Sequence, residues 1–120
     1  MEDVGRQRRD YRTKRYEANR WYHVWDRGHD VLFRDDADRR VFLDCVAQYL
    51  AVEPPRDRRG RPLRWLRERI ELGSYCLLTT HFHLLVRTGE DPGALAELMQ
   101  SVKAAYTREC RARGRTGQIF

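Results

Sequence analysis

Lysine is nearly missing from this chain: Lys14 and Lys103 are the only two among 24 basic residues, which stand against 18 acidic ones. Long apolar runs are missing too, and no stretch approaches the ~20 residues that span a bilayer. The opening, MEDVGRQRRDYRTKRYEANR, has no apolar segment of the kind a secretory signal needs. Together these absences predict a soluble, intracellular, cytoplasmic protein without membrane contact. Cysteine is scarce and odd in number: Cys45, Cys76 and Cys110 are widely spaced and form no CxxC pair. That spacing argues against a disulfide framework or a thiolate zinc site. Gly-rich phosphate loops, a Ser/His/Asp triad, a nucleophilic Cys–His signature, a convincing carboxylate pair and internal repeats are absent as well.

What remains is compact and basic. A length of 120 residues allows one domain with one core, and 41% hydrophobic with 11% aromatic content excludes a disordered tail. The net charge is +6, and almost all of the positive charge is arginine. Guanidinium groups suit phosphate contacts and base stacking. A GC-rich coding sequence accounts for the same excess equally well, so charge alone does not identify a partner.

Residues 1–19 are polar and basic and read as a mobile arm or a lead-in to the first strand. A strand is predicted over 20–26, in WYHVWDRG, with a turn at Asp26–Gly28. Asp35, Asp36 and Asp38 then mark a helix N-terminus, and Val41, Phe42, Cys45, Val46, Tyr49 and Leu50 recur on one face of a helix over 36–51. The segment EPPRDRRGRPLR holds three of the four prolines and reads as an exposed loop, part of an Arg/Pro-rich insertion over 53–70. Strands are predicted at 71–78 and 81–88, and a second amphipathic helix at 92–112, stopped by Gly114. The final residues, RTGQIF, look like the opening of another strand. The order βαββα(β) predicts an α+β, ferredoxin-like antiparallel sheet over 20–120, with two helices on one face and an incomplete last strand. A sheet missing its edge strand leaves a template for pairing, which points towards a homodimer.

The sharpest constellation is THFHLLV. His81 and His83, two apart in a strand, point to the same side, while Phe82 points to the other. Two imidazoles on one face can hold a divalent cation, although two ordinary surface histidines would have the same spacing.

The blocks RWYHVWDRGHDVLFRDDADRRVFL, SYCLLTTHFHLLVRT and LMQSVKAAYTRECRARGRTGQIF, in this order, resemble the REP-associated tyrosine transposases, members of the HUH (His-hydrophobic-His) single-tyrosine superfamily. The resemblance runs from about residue 20 to the end, broken at 53–70. It implies processing of single-stranded or hairpin DNA, with His81 and His83 holding Mg²⁺ or Mn²⁺ at the scissile phosphate and a tyrosine attacking to form a 5′-phosphotyrosine link. Two departures stand out. Thr79–Thr80 replaces the family's Pro-Asn before the first histidine. The family's Tyr-x-x-x-Asn segment, with its nucleophile, does not occur in this sequence. On this reading the DNA-processing machinery is incomplete in the chain, and a non-catalytic module that binds single-stranded nucleic acid is the alternative; a ferredoxin-like scaffold whose histidines have no special role is a third reading.

Tyr106, with Glu109 and Cys110 one turn on, is the weak candidate for a substitute nucleophile. It shares a helix face with Leu95, Leu98, Met99 and Val102 and is expected to be core. Arg56, Arg58, Arg59, Arg61 and Arg64 are candidates for following a nucleic-acid backbone, or simply for a solvated loop. Trp21, Tyr22 and Trp25 offer stacking faces for bases. Alternation places Trp21 and Trp25 on the same side as His23, so some of these side chains are expected to be core. His23 itself is expected to be a hydrogen-bonded sheet histidine, and His29 to be solvated.

Overall fold

The computed structural model describes residues 16–50, 56–62 and 70–120. Its elements are strand β1 (Trp21–Arg27), helix α1 (Asp36–Tyr49), strands β2 (Ile70–Leu77) and β3 (His81–Thr88), and helix α2 (Ala94–Ala112). The strands form one antiparallel sheet in the order β1-β3-β2, so the strand carrying both HxH histidines is central. This is an α+β fold compatible with a ferredoxin-like arrangement. Among the described residues no helix is long and apolar enough to cross a membrane.

Strict alternation builds the core face of the sheet. Val24 on β1 and Phe82, Leu84 and Val86 on β3 are buried against the helices, because successive side chains of a strand take opposite faces. The helices contribute Phe42, Cys45, Val46 and Tyr49 from α1, and Leu95, Leu98, Met99, Val102 and Tyr106 from α2. Phe33, Phe42, Phe82, Tyr106 and Phe120 meet edge-on or tilted, with ring centroids 4.8–6.3 Å apart, the offset geometry that ring quadrupoles favour.

Local chemistry sets the element ends. Asp35 caps α1, its carboxylate accepting from the Asp38 amide at 2.9 Å. At the end of α2, Gly114 takes φ +87°. The Arg115 amide then donates to Cys110 O at 2.9 Å and the Gly114 amide to Arg111 O at 3.0 Å. These two bonds make a Schellman motif, which requires the left-handed residue that glycine supplies. Beyond it, residues 115–120 form no strand. They are tied to the loop after β1 by a backbone bond from the His29 amide to Ile119 O at 2.9 Å and by the Arg115 guanidinium, which donates to Val31 O at 2.7 Å and Leu32 O at 2.9 Å.

Of the predicted N-terminal arm, residues 1–15 lie outside the described part. Tyr16–Asn19 is a tethered lead-in: Thr88 Oγ1 donates to Glu17 O at 2.6 Å, and the Asn19 amide donates to Gly89 O at 3.0 Å.

Candidate nucleic-acid and metal-binding face

Both helices cover one side of the sheet, and the other side carries no layer among the described residues. On that open face β1 places Trp21, His23, Trp25 and Arg27, and β3 places His81, His83, Leu85 and Arg87. The register sets Arg27 opposite His81, Trp25 opposite His83, His23 opposite Leu85 and Trp21 opposite Arg87. On the far side of β3, Cys76 of β2 stands opposite His83.

Of Trp21, Tyr22 and Trp25, it is Tyr22 that packs against the core. The inward set of β1 is Tyr22, Val24 and Asp26, and the tryptophans take the open side, where Trp21 is 49% exposed. A buried acid in the inward set hid this phase from the sequence. Asp26 is tolerated there because Lys103 of α2 forms an ion pair with it and the Arg27 amide donates to its Oδ1 at 2.8 Å. Trp21 lies across the central strand: a Cβ built on Gly73 of β2 would come within 2.6 Å of its indole. Gly73 also marks the break in register between Leu72 and Ser74, so one glycine provides both the bulge and the room for the ring.

The turn between β2 and β3 fixes where His81 starts. Thr79 O accepts from the Leu32 and Phe33 amides at 2.8 and 3.0 Å, and Thr80 O accepts from the Gly28 amide at 2.8 Å. The loop after β1 therefore clasps the turn, whose composition is poor for a hairpin on its own. Thr80, where the resembled family has asparagine, places Oγ1 3.0 Å from His81 Nδ1. His83 Nδ1 is engaged in the same way, 2.8 Å from His23 Nε2. Burial lowers the His83 pKa first, and the neighbouring His23 and His81 lower it further.

These residues fit a divalent cation as far as two donors can. The His81 and His83 ring centroids are 4.9 Å apart, and two imidazoles sharing one ion at ~2.1 Å per nitrogen have centroids roughly 5 Å apart. Each Nε2 is without a hydrogen-bond partner among the described residues. No third His, Cys, Asp or Glu converges with them into a metal-binding group among the described residues. Cys45 is remote in kind as well as place, since burial pushes its thiol up to about 12.

The structure separates Tyr106 from this face. The tyrosine is fully buried on the helix side, and its hydroxyl donates to Leu32 O at 2.7 Å. Burial, then Cys110, holds that hydroxyl well above the ordinary tyrosine range. Tyr22 and Tyr49 also face the helix side, Tyr16 packs on Tyr22, and Tyr75 lines a groove with Leu43 and Val46 of α1. No tyrosine among the described residues stands on the open face.

Of the arginine loop, Arg64 lies outside the described residues. Asp57 organises a small turn: its Oδ1 accepts from the Arg59 and Arg61 amides, both at 2.9 Å, and its Oδ2 from Arg61 Nε at 2.8 Å. Those bonds, the Arg61 amide first, pull the Asp57 pKa down. Arg56 Nη1 donates to Gly60 O at 2.7 Å. Arg56 and Arg61 thus maintain the turn, whereas Arg58 and Arg59 project exposed side chains without a partner among the described residues. His29 is exposed and Arg27 makes no ion pair among the described residues.

Comparison with known protein families, with curated proteins and with solved structures finds no match for this chain.

Proposed function

We propose that the open face of the sheet grips single-stranded or hairpin DNA and presents one of its phosphates to a divalent cation, Mg²⁺ or Mn²⁺, held by His81 and His83. The observation that carries this reading is the juxtaposition, on the face of the sheet opposite both helices, of two imidazoles whose Nε2 atoms have no hydrogen-bond partner among the described residues, two tryptophans and the cations Arg27 and Arg87. Bound there, the metal would act as a Lewis acid on a phosphate oxygen. The chain's own residues do the rest. Trp21 and Trp25 supply flat apolar surfaces on which unpaired bases stack. Arg27, directly across from His81, supplies a fork of donors for the adjoining phosphate.

This supports transposase-like strand processing of the HUH kind, in which a tyrosine attacks the polarised phosphate. With Tyr106 sealed in the core, the attacking hydroxyl has to come from outside the described residues. The same burial favours a second reading, a module that binds the strand without cutting it. Such a substrate is consistent with a cytoplasmic protein, and the outer edge of β1, which pairs with no strand among the described residues, offers a place for a second copy.

The test uses the full chain with end-labelled, hairpin-tipped single-stranded DNA and Mn²⁺. Metal-dependent binding that His81→Ala and His83→Ala each abolish is the expected result. Binding indifferent to metal and to both substitutions would overturn the metal reading. A labelled covalent protein–DNA band on a denaturing gel selects strand processing, and binding without that band selects the module.

A further inference from the structure

Among the described residues, His23 is the one open-face residue in hydrogen-bond contact with the HxH pair. Its Nε2 lies 2.8 Å from His83 Nδ1, and the two rings stack with centroids 5.0 Å apart and planes 19° from parallel. The contact is diagonal in the sheet: His23 stands opposite Leu85, two residues along from His83, whose direct partner is Trp25. Trp25 stacks on the His83 ring with centroids 6.0 Å apart, so the imidazole is held in place as well as bonded.

The two ring nitrogens share one hydrogen, and where it sits decides what His83 can do. A neutral imidazole carries its proton on one nitrogen and a lone pair on the other. For Nε2 of His83 to bind a cation, Nδ1 must hold the proton and donate it. His23 Nε2 must then be the acceptor, with its own proton on Nδ1. His81 follows the same rule by a different route, since Thr80 Oγ1 can accept from its Nδ1. Each candidate ligand therefore has an acceptor behind it, one on the preceding residue and one on the neighbouring strand. Fixing a ligand's tautomer through its second nitrogen is how neighbours tune metal sites. With its Nε2 turned to His83 Nδ1, and with no three-donor metal group among the described residues, His23 stands behind the site rather than in it.

We infer that His23 is a positioning residue that holds His83 in the Nδ1–H tautomer and so leaves Nε2 open to a divalent cation. The inference deepens the proposed function and rests on its reading of His81 and His83 as ligands.

The test separates the two claims. Long-range ¹H–¹⁵N correlation spectra of the histidine-labelled, metal-free full chain report the tautomer of each ring, and Mn²⁺ titration followed by electron paramagnetic resonance reports affinity. The expected result is Nδ1–H at both His81 and His83. In His23→Ala and His23→Lys, His83 alone moves to the Nε2–H form and Mn²⁺ affinity falls tenfold or more. In His23→Gln, whose Oε1 can accept the same hydrogen, the tautomer stays and affinity remains within about threefold of the unsubstituted protein. An Nε2–H tautomer at His83 in the unsubstituted protein overturns the inference, as does a His83 tautomer indifferent to His23→Ala. So does a coordination shift at His23 itself when Zn²⁺ is added, which would make it a ligand. If the unsubstituted protein binds no Mn²⁺ while the His83 tautomer still follows residue 23, the hold of His23 over His83 stands and the metal reading falls.

Discussion

Asp38 is the residue on which most charge converges. Its carboxylate is fully buried in the first turn of α1, and it accepts from the Arg34 amide and Nε, both at 2.9 Å, and from Arg113 Nη1 at 2.8 Å. Arg113 follows α2, so the cluster ties the start of one helix to the end of the other. The side-chain bonds from Arg34 lower the Asp38 pKa to about 2. A carboxylate depressed in the folded state contributes stability that is fully present above its unfolded value of ~3.9 and is lost as pH falls through the folded one. Stability should therefore drop between about pH 4 and pH 2, by on the order of 1–2 kcal/mol after allowance for water around the exposed arginines. Asp38→Asn should flatten that part of a plot of urea midpoint against pH. Asp38→Ala should cost about 1–3 kcal/mol at pH 7, because it leaves the Arg34 amide and the partly exposed guanidinium groups of Arg34 and Arg113 without their acceptor. Tyr106→Phe provides a quieter contrast. Removing its bond to Leu32 O should cost about 1 kcal/mol and leave Mn²⁺ and DNA binding unchanged; loss of a covalent DNA adduct in that variant would contradict the core placement.

The elements were largely legible in the sequence, because apolar spacing alone locates α1, β3 and α2 to within two residues. The turn chemistry was legible as well: Gly114 lies in a left-handed conformation with open space around its α-carbon. Gly114→Ala should therefore cost only the backbone strain, about 1 kcal/mol, seen as a melting temperature lower by about 4 °C. Which face of β1 is open was not legible. Trp21 and Trp25 are the bulkiest apolar residues of that strand, and only the Lys103 partner of Asp26, distant in sequence, reveals that the acid belongs inside. The contact between His23 and His83 spans 60 residues and depends on strand register, which no local pattern encodes. Gly73 carries a similar hidden constraint. Its φ is not positive, so its value lies in closeness to Trp21. Gly73→Ala should push the indole off the central strand, shift tryptophan emission to the red and weaken single-strand binding, with the thermal unfolding transition still cooperative. Unchanged emission would show that Trp21 does not rest there.

For the whole molecule, the decisive feature is that both helices lie on one side. The side opposite them, which carries no layer among the described residues, combines apolar rings with imidazoles, while the net charge of +6 comes almost wholly from arginine. Those two features make separable contributions to DNA binding. Stacking on an aromatic side chain is worth ~1–3 kcal/mol per base and is insensitive to salt, whereas each phosphate contact adds ~0.7 to the slope of log affinity against log salt for a single strand. Trp21→Ala and Trp25→Ala should therefore weaken oligothymidine binding by about tenfold or more at every salt concentration, with the slope unchanged. Arg58→Ala combined with Arg59→Ala should lower the slope by about 1.4 if the exposed arginines of the loop follow the backbone, and by nothing if they are only solvated. Fluorescence anisotropy over a salt series distinguishes these outcomes. A slope that falls with the tryptophan variants instead would mean that the sheet holds the strand by charge, and the aromatic face would lose its assigned role.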